Sequence, residues 1–299
     1  MKFICIAAMA LACIACNRKT LTAGTAENSG FYMDTKGNKV LLGIHPQEAL
    51  QTAPFADWFN TNFSGYTIDS NTVALLKPLA AGKHVDIFMG TWCGDSKREV
   101  PRMCKVLAAA GVHRAHIRLI MVDNRDSSYK QSPGHKEKGK FIHHVPTLFV
   151  YKGAGEMNRI VESPVTSIEK DLLSILSGKT YQPNYAGTAL LQQQLNQKDA
   201  ATLLAEEQQL LPLLQPQLRN AAELNTVGYV WMASGKWQQA QLAFELNALL
   251  FPDNVNVYDS LGELFIKLND KPTARIYYNK VLALQPSNAN AQKMILQLQ

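Results

Sequence analysis

No apolar run in this chain is long enough to cross a membrane. The longest, Phe3 to Cys16, falls short of the roughly 20 residues that a span needs. A phosphate-binding glycine loop is missing, and so are paired catalytic carboxylates, which removes the chemistries those motifs serve. No nucleic-acid recognition motif is present. Cysteine is scarce: Cys5, Cys13, Cys16, Cys93 and Cys104 are all there are, three of them within the first sixteen residues. What the chain does have is size and apolar content. Its 299 residues suffice for two ordinary domains, and 46% hydrophobic residues support packed cores rather than disorder.

The N-terminal run carries one charge, Lys2, and ends in small residues before Asn17-Arg18-Lys19, the pattern of an export signal. It resembles a bacterial lipoprotein signal, with Cys16 as the preferred lipidation site and Cys13 fitting almost as well. The resemblance implies a membrane-anchored lipoprotein of the bacterial cell envelope, facing the periplasm or the cell surface. Residues 17–30 are small and polar and read as a tether. The formal charge of +6 is uneven. Residues 97–140 hold eleven Lys/Arg against four Asp/Glu, so the remainder is close to neutral. That surplus reads first as a solvated basic face, and second as a field favouring anionic partners or a thiolate.

Residues 31–178 alternate strand and helix signals. Val85-Asp86-Ile87-Phe88-Met89, His116 to Val122 and Thr147 to Tyr151 read as strands, and Met157 to Val161 as a hairpin partner. Lys39 to Gly43 reads as a further short strand. Pro46 to Phe63, Asn71 to Ala80, Cys93 to Ala110 and a Ser167-capped segment to Leu176 read as helices. Asp123 to Lys140 is polar and reads as loop, with residues 135–140 an inserted surface loop.

Residues 179–186 read as a linker, and 187–299 as helical. Leu224, Val227, Gly228, Trp231, Ala240, Phe244 and Pro252 return 34 residues later as Tyr258, Leu261, Gly262, Phe265, Ala274, Tyr278 and Pro286. Seven positions in register at this period resemble tetratricopeptide repeats, with units at about 221–254 and 255–288 and a capping helix at 289–299. Residues 187–219 read as a degenerate preceding pair, broken by Pro212 and Pro216. Such arrays imply a bound peptide or protein.

The chemistry-bearing stretch is Thr91-Trp92-Cys93-Gly94-Asp95-Ser96-Lys97. A cysteine at a helix N-terminus meets unpaired N–H groups and the positive end of the macrodipole, which favour the nucleophilic thiolate. Lys97 and Arg98 add positive charge, Asp95 opposes it, and the Ser96 hydroxyl can donate to a thiolate. Four features in order resemble the thioredoxin family: Trp92-Cys93 after a strand, Pro101 in the following helix, Val145-Pro146-Thr147, and the strand and turn that follow. The resemblance implies an α/β thioredoxin-like domain, with the helical repeats as a second, all-α domain. It implies Cys93 as nucleophile, Ser96 in the place of the resolving cysteine, a cis bond before Pro146, and Val145 and Thr147 as backbone that pairs with bound polypeptide.

Three departures shape the expectation. Ser96 removes the internal resolving thiol. Cys104 lies eleven residues past Cys93, roughly 16 Å along a helix, beyond the roughly 7 Å Cα separation of a disulfide. Asp86 precedes Cys93 by seven residues where the family's buried proton-accepting acid usually precedes by six, so a bulge at Gly90 is needed to turn it inward. His113, His116, His135, His143 and His144 show no firm metal-ligand spacing, although His143 and His144 adjoin Pro146. No cofactor or metal is expected. The expected function is monothiol thiol–disulfide exchange, isomerase- or reductase-like, on protein thiols and disulfides, with an external thiol partner. The alternative is a redox-inactive polypeptide-binding scaffold.

Overall fold

The computed structural model describes residues 29–298. The expected signal, its Cys16, and nearly all of the tether lie outside them. A mixed six-stranded sheet flanked by helices is followed by a region of eight helices. No helix among the described residues is long and apolar enough to cross a membrane.

Strands β1 (Gly30–Met33) and β2 (Lys39–His45) form an antiparallel hairpin. The Asp34 carboxylate closes its turn by accepting the Lys36 and Asn38 N–H groups at 2.8 Å each. The sequence reading had no strand at β1, whose Gly30 it assigned to the tether. A short 3-10 turn, Gln47–Gln51, leads to α1 (Ala56–Gly65) and α2 (Ser70–Ala80). Asp69 caps α2 by accepting the Asn71 and Thr72 N–H groups. Then come β3 (Lys83–Met89), α3 (Gly94–Ala109), β4 (Ile117–Met121), β5 (Thr147–Lys152), β6 (Gly155–Val161) and α4 (Ile168–Leu176). Ser167 caps α4 through Lys170 N–H, and Gly111 with φ +84° lies just past α3, both as expected.

The strand order is β1-β2-β4-β3-β5-β6, and only the β3–β4 pair is parallel. β3 is therefore buried on both faces. Val85, Ile87 and Met89 pack with Phe59 of α1, Met103 of α3 and Leu172 of α4. Phe88 points to the opposite face, with Ile120, Phe149 and Val145.

The helical region comprises α5 (Ala186–Leu195), α6 (Ala200–Ala205), α7 (Glu207–Leu214), α8 (Ala222–Ala233), α9 (Trp237–Leu250), α10 (Val255–Lys267), α11 (Lys271–Leu284) and α12 (Ala289–Gln297). The bounds of α9 and α11 are offset by 34 at both ends, the period read from the sequence. The reason is a repeated close approach. A Cβ on Gly228 would overlap the Phe244 ring, and one on Gly262 would meet the Tyr278 ring at 2.8 Å. Residues 187–219 differ from the expected pair: they form three short helices and a 3-10 turn, Gln215–Gln217. Pro212 lies within α7 and Pro216 within the turn, so neither extends a long helix.

Gly228→Ala is expected to destabilise the protein by about 1–3 kcal/mol, because the added methyl has no space beside Phe244. Gly65→Ala, at a helical position with open space around it, is expected to be neutral or stabilising by up to about 1 kcal/mol. Urea denaturation of the two variants and the parent checks both.

Candidate functional site around Cys93

The Phe88–Thr147 pairing sets the end of β3 beside the start of β5. The turn after β3 and the loop before β5 are consequently neighbours. Cys93 is the N-cap residue of α3. Its half-buried thiol donates to the Val145 carbonyl at 3.2 Å. The Val145–Pro146 bond is cis, as the sequence resemblance implied. Thr147 lies one residue further along and is buried in the sheet, paired with Phe88 and Val161. Its hydroxyl donates to His144 O at 2.7 Å. Of the two backbone positions expected to meet polypeptide, Val145 is the one hydrogen-bonded to Cys93.

The corner itself is tightly held. Trp92 Nε1 donates to Val122 O at 2.9 Å, and the indole lies over Gly90, where a Cβ would overlap it. The Thr91 hydroxyl accepts from Leu41 N at 3.1 Å, tying the corner to β2. Ser96 is fully buried, and its hydroxyl accepts from Gly90 N at 3.2 Å. It forms the floor of the turn, and among the described residues no hydrogen bond joins it to Cys93.

Asp86 is buried on β3, but both its oxygens accept from Arg118, Oδ1 from Nε and Oδ2 from Nη2, at 2.6 Å each. No hydrogen bond links it to the Cys93 corner, so the arrangement lends a proton-accepting role no support. Arg98 is spent on Asp95 at 2.7 Å and Glu99 at 2.6 Å. Arg102 pairs with Glu99, Arg114 with Glu48 and Arg125 with Asp123. The five arginines of residues 97–140, Arg118 with Asp86 among them, are thus each paired with a carboxylate.

One buried cation at this corner is one that sequence reasoning missed. Lys130 is only 4% exposed. The segment after β4 folds back on itself, Lys130 N–H to Asp123 O and Asp123 N–H to Gln131 O, with Lys130 in the left-handed region at φ +57°. Its ammonium donates to His143 O at 2.5 Å and lies 4.6 Å from the Tyr129 ring centroid. Burial pushes its pKa down to about 8, opposed by the attraction of Cys93 and Glu162. Tyr129 is pushed up to about 12 by burial and by the charge of Cys93. Lysine in a polar loop carries no signal of burial, so composition could not have found it.

Glu162 completes the ring. Its N–H donates to Pro146 O at 2.6 Å, and its carboxylate accepts from the Tyr185 hydroxyl. Burial raises its pKa against the pull of that hydroxyl, Lys130 and Arg219. His143 and His144 share a hydrogen bond at 2.8 Å between their Nδ1 atoms. Burial holds His143 down to about 3, assisted by Lys130 and Arg159. His144 is also lowered, first by burial and then by His143. Both are neutral imidazoles that pack the loop, and neither hydrogen-bonds to Cys93. Cys104 is buried in the sheet-side core and its thiol is pushed up to about 12, as suits an inert packing residue.

Residues 135–140 form exposed and half-buried turns, the surface loop expected there, and the residues on either side of them anchor it. Lys140 Nζ donates to the Tyr151 hydroxyl at 2.6 Å, and Phe141 stacks on Trp231 of α8 at 5.7 Å. Gln131 Nε2 donates to Ala233 O at 2.7 Å. Tyr185, in the expected linker, stacks on His144 at 3.8 Å. The helical region is therefore docked against the loop that carries Val145 and Pro146.

No family model matches the chain, and a search of curated proteins finds none that matches. The residues themselves carry what can be said. A half-buried thiol at a helix N-terminus, with a buried ammonium and a half-buried carboxyl across a cis-proline loop, can form and release a covalent sulfur bond.

Lys130→Met is expected to slow alkylation of Cys93 by iodoacetamide at pH 7 about fivefold, the loss of on the order of 1 kcal/mol of attraction for the thiolate. The lysine also leaves a mark on stability. Its pKa is about 8 folded against 10.5 ordinarily, so between those pH values the unfolded chain binds more protons. Stability from this group therefore rises as pH rises through that window. Urea denaturation at several pH values is expected to show this rise in the parent and its loss in Lys130→Met.

Proposed function

We propose that the protein is a thioredoxin-like monothiol of thiol–disulfide exchange, held at a bacterial envelope membrane through a lipid on Cys16. The observation that carries this reading is the meeting of the Cys93 thiol with Val145 O beside cis-Pro146. The isolation of Cys104 in the core supports it further. The Cys93 thiolate attacks one sulfur of a substrate disulfide. A Cys93–sulfur bond forms, the substrate S–S bond breaks, and the second substrate sulfur departs with the electron pair as a thiolate. Lys130 stabilises negative sulfur as it develops and can supply the proton. In isomerisation a second thiolate of the substrate attacks the substrate sulfur, and Cys93 leaves as a thiolate. In reduction an external thiolate attacks Cys93 Sγ and the substrate sulfur leaves as a thiolate; a second external thiolate then attacks the external sulfur and frees Cys93, so the external thiol ends as its disulfide.

A second reading, a redox-inactive polypeptide-binding scaffold with tetratricopeptide-like repeats, draws support from Ser96. A hydroxyl committed to Gly90 N–H offers no second redox group. The two readings part at Cys93. Cys93→Ala is expected to abolish exchange with a small aromatic disulfide and reshuffling of a scrambled disulfide protein, and Cys104→Ala to leave both nearly intact. Exchange that survives Cys93→Ala would sink the first reading, and a wild-type Cys93 that reacts no faster than free cysteine favours the second.

A further inference from the structure

A cleft of about 850 Å³ opens between the loop before β5 and the helical region. It lies within the roughly 300–1,000 Å³ of ordinary small-molecule pockets. One wall comes from residues 135–143 and from β6, and the other from α5 and the turn between α8 and α9.

The charge of this lining is one-sided. Lys130, Lys138, Lys140, Arg159 and Lys236 face it against one carboxylate, Glu137. Local bonds leave the surplus standing. Glu137 is occupied by its own loop: Oε2 accepts from Ser132 N at 2.9 Å and from Ser132 Oγ at 2.6 Å, and Oε1 meets His135 Nδ1 at 3.1 Å. Arg159 is matched by Glu156 at 2.7 Å. Lys130 is buried, and its charge is shared with Cys93 and Glu162. What the cleft offers a ligand is therefore Lys138, Lys140 and Lys236. None of these three forms an ion pair among the described residues. Lys138 and Lys236 are exposed. Lys140 is half-buried and gives one donor to the Tyr151 hydroxyl at 2.6 Å, which leaves its other ammonium protons for a ligand.

Two features set the class of ligand. The lysines stand on both walls, Lys138 and Lys140 in the loop and Lys236 at the N-cap of α9, so a ligand that meets both walls carries negative charge at more than one point. The donors are ammoniums, compact point charges without the flat fork that selects carboxylates, and they suit the tetrahedral oxygens of phosphate. We infer that this cleft binds a small soluble polyanion of the phosphate class, held between Lys138 and Lys140 on one wall and Lys236 on the other. The site stands independently of the exchange reading. An anion bound there ties the loop before β5 to the start of α9, and so fastens the helical region to the loop that faces Cys93.

Inorganic pyrophosphate is the probe, titrated calorimetrically into the full chain at about 50 mM salt, where surface charges are weakly screened. The parent is expected to bind it with a Kd below about 1 mM, and the double variant Lys138→Glu with Lys236→Glu to bind about tenfold more weakly or worse. Lys77→Glu with Lys293→Glu makes the same change of charge on α2 and α12, outside the cleft lining, and is expected to keep the Kd within about twofold. All four lysines are exposed, so both double variants are expected to fold. Absence of binding in the parent would overturn the inference. So would equal weakening in the two double variants, which would show a solvated basic surface rather than a site. Glycerophosphoglycerol, the singly charged headgroup of a lipid, is the second arm. Weaker binding than pyrophosphate supports the polyanion assignment, and tighter binding overturns it.

Discussion

The arrangement turns on one alignment, the Phe88–Thr147 pairing of β3 with β5. It brings the turn that ends β3 against the loop that precedes β5, and so places the Cys93 thiol on the Val145 carbonyl at 3.2 Å. Everything else at the site is arranged around that contact. Trp92 is pinned to Val122 O, Thr91 to β2, and Ser96 to the floor of the turn. A slip of one residue in this antiparallel ladder would turn Phe88 away from its core and part the thiol from the proline loop.

The same loop links the two halves of the molecule. Phe141 gives its ring to Trp231 of the helical region, while two residues on His143 O takes the buried ammonium of Lys130. His144 stacks on Tyr185 just before the first helix of the second part. The helices are thus packed onto the loop that faces Cys93. Burial of Lys130 is sustained by partners on every side: a carbonyl, an aromatic face, a thiol and a carboxyl.

Much of this was legible in the sequence, and the reasons are specific. Apolar runs announced β3, β4 and β5, because strands buried on both faces are apolar over most of their length. Gly111 and Ser167 marked the ends of α3 and α4 through backbone conformation and capping. The 34-residue period of α8 to α11 showed through Gly228 and Gly262, where aromatic rings leave no room for a Cβ. Strand β1 was missed because its exposed residues pack on little and so show no pattern. Asp86 is a candidate for proton transfer by its place seven residues before Cys93, and its bidentate partner Arg118 lies 32 positions away, where local reading does not reach.

The sequence by itself determined most of the elements, the helix N-terminus under Cys93 and the repeat of the helical region. Each of these is a local matter of backbone preference or of side-chain periodicity. Only the tertiary structure decided which charges act on the thiol. The arginines of the basic segment pair with Asp95, Glu99, Glu48, Asp86 and Asp123, and a buried cation that acts on Cys93 is Lys130. Electrostatic influence depends on distance through space and on exclusion of water, and neither is written in the order of residues along the chain.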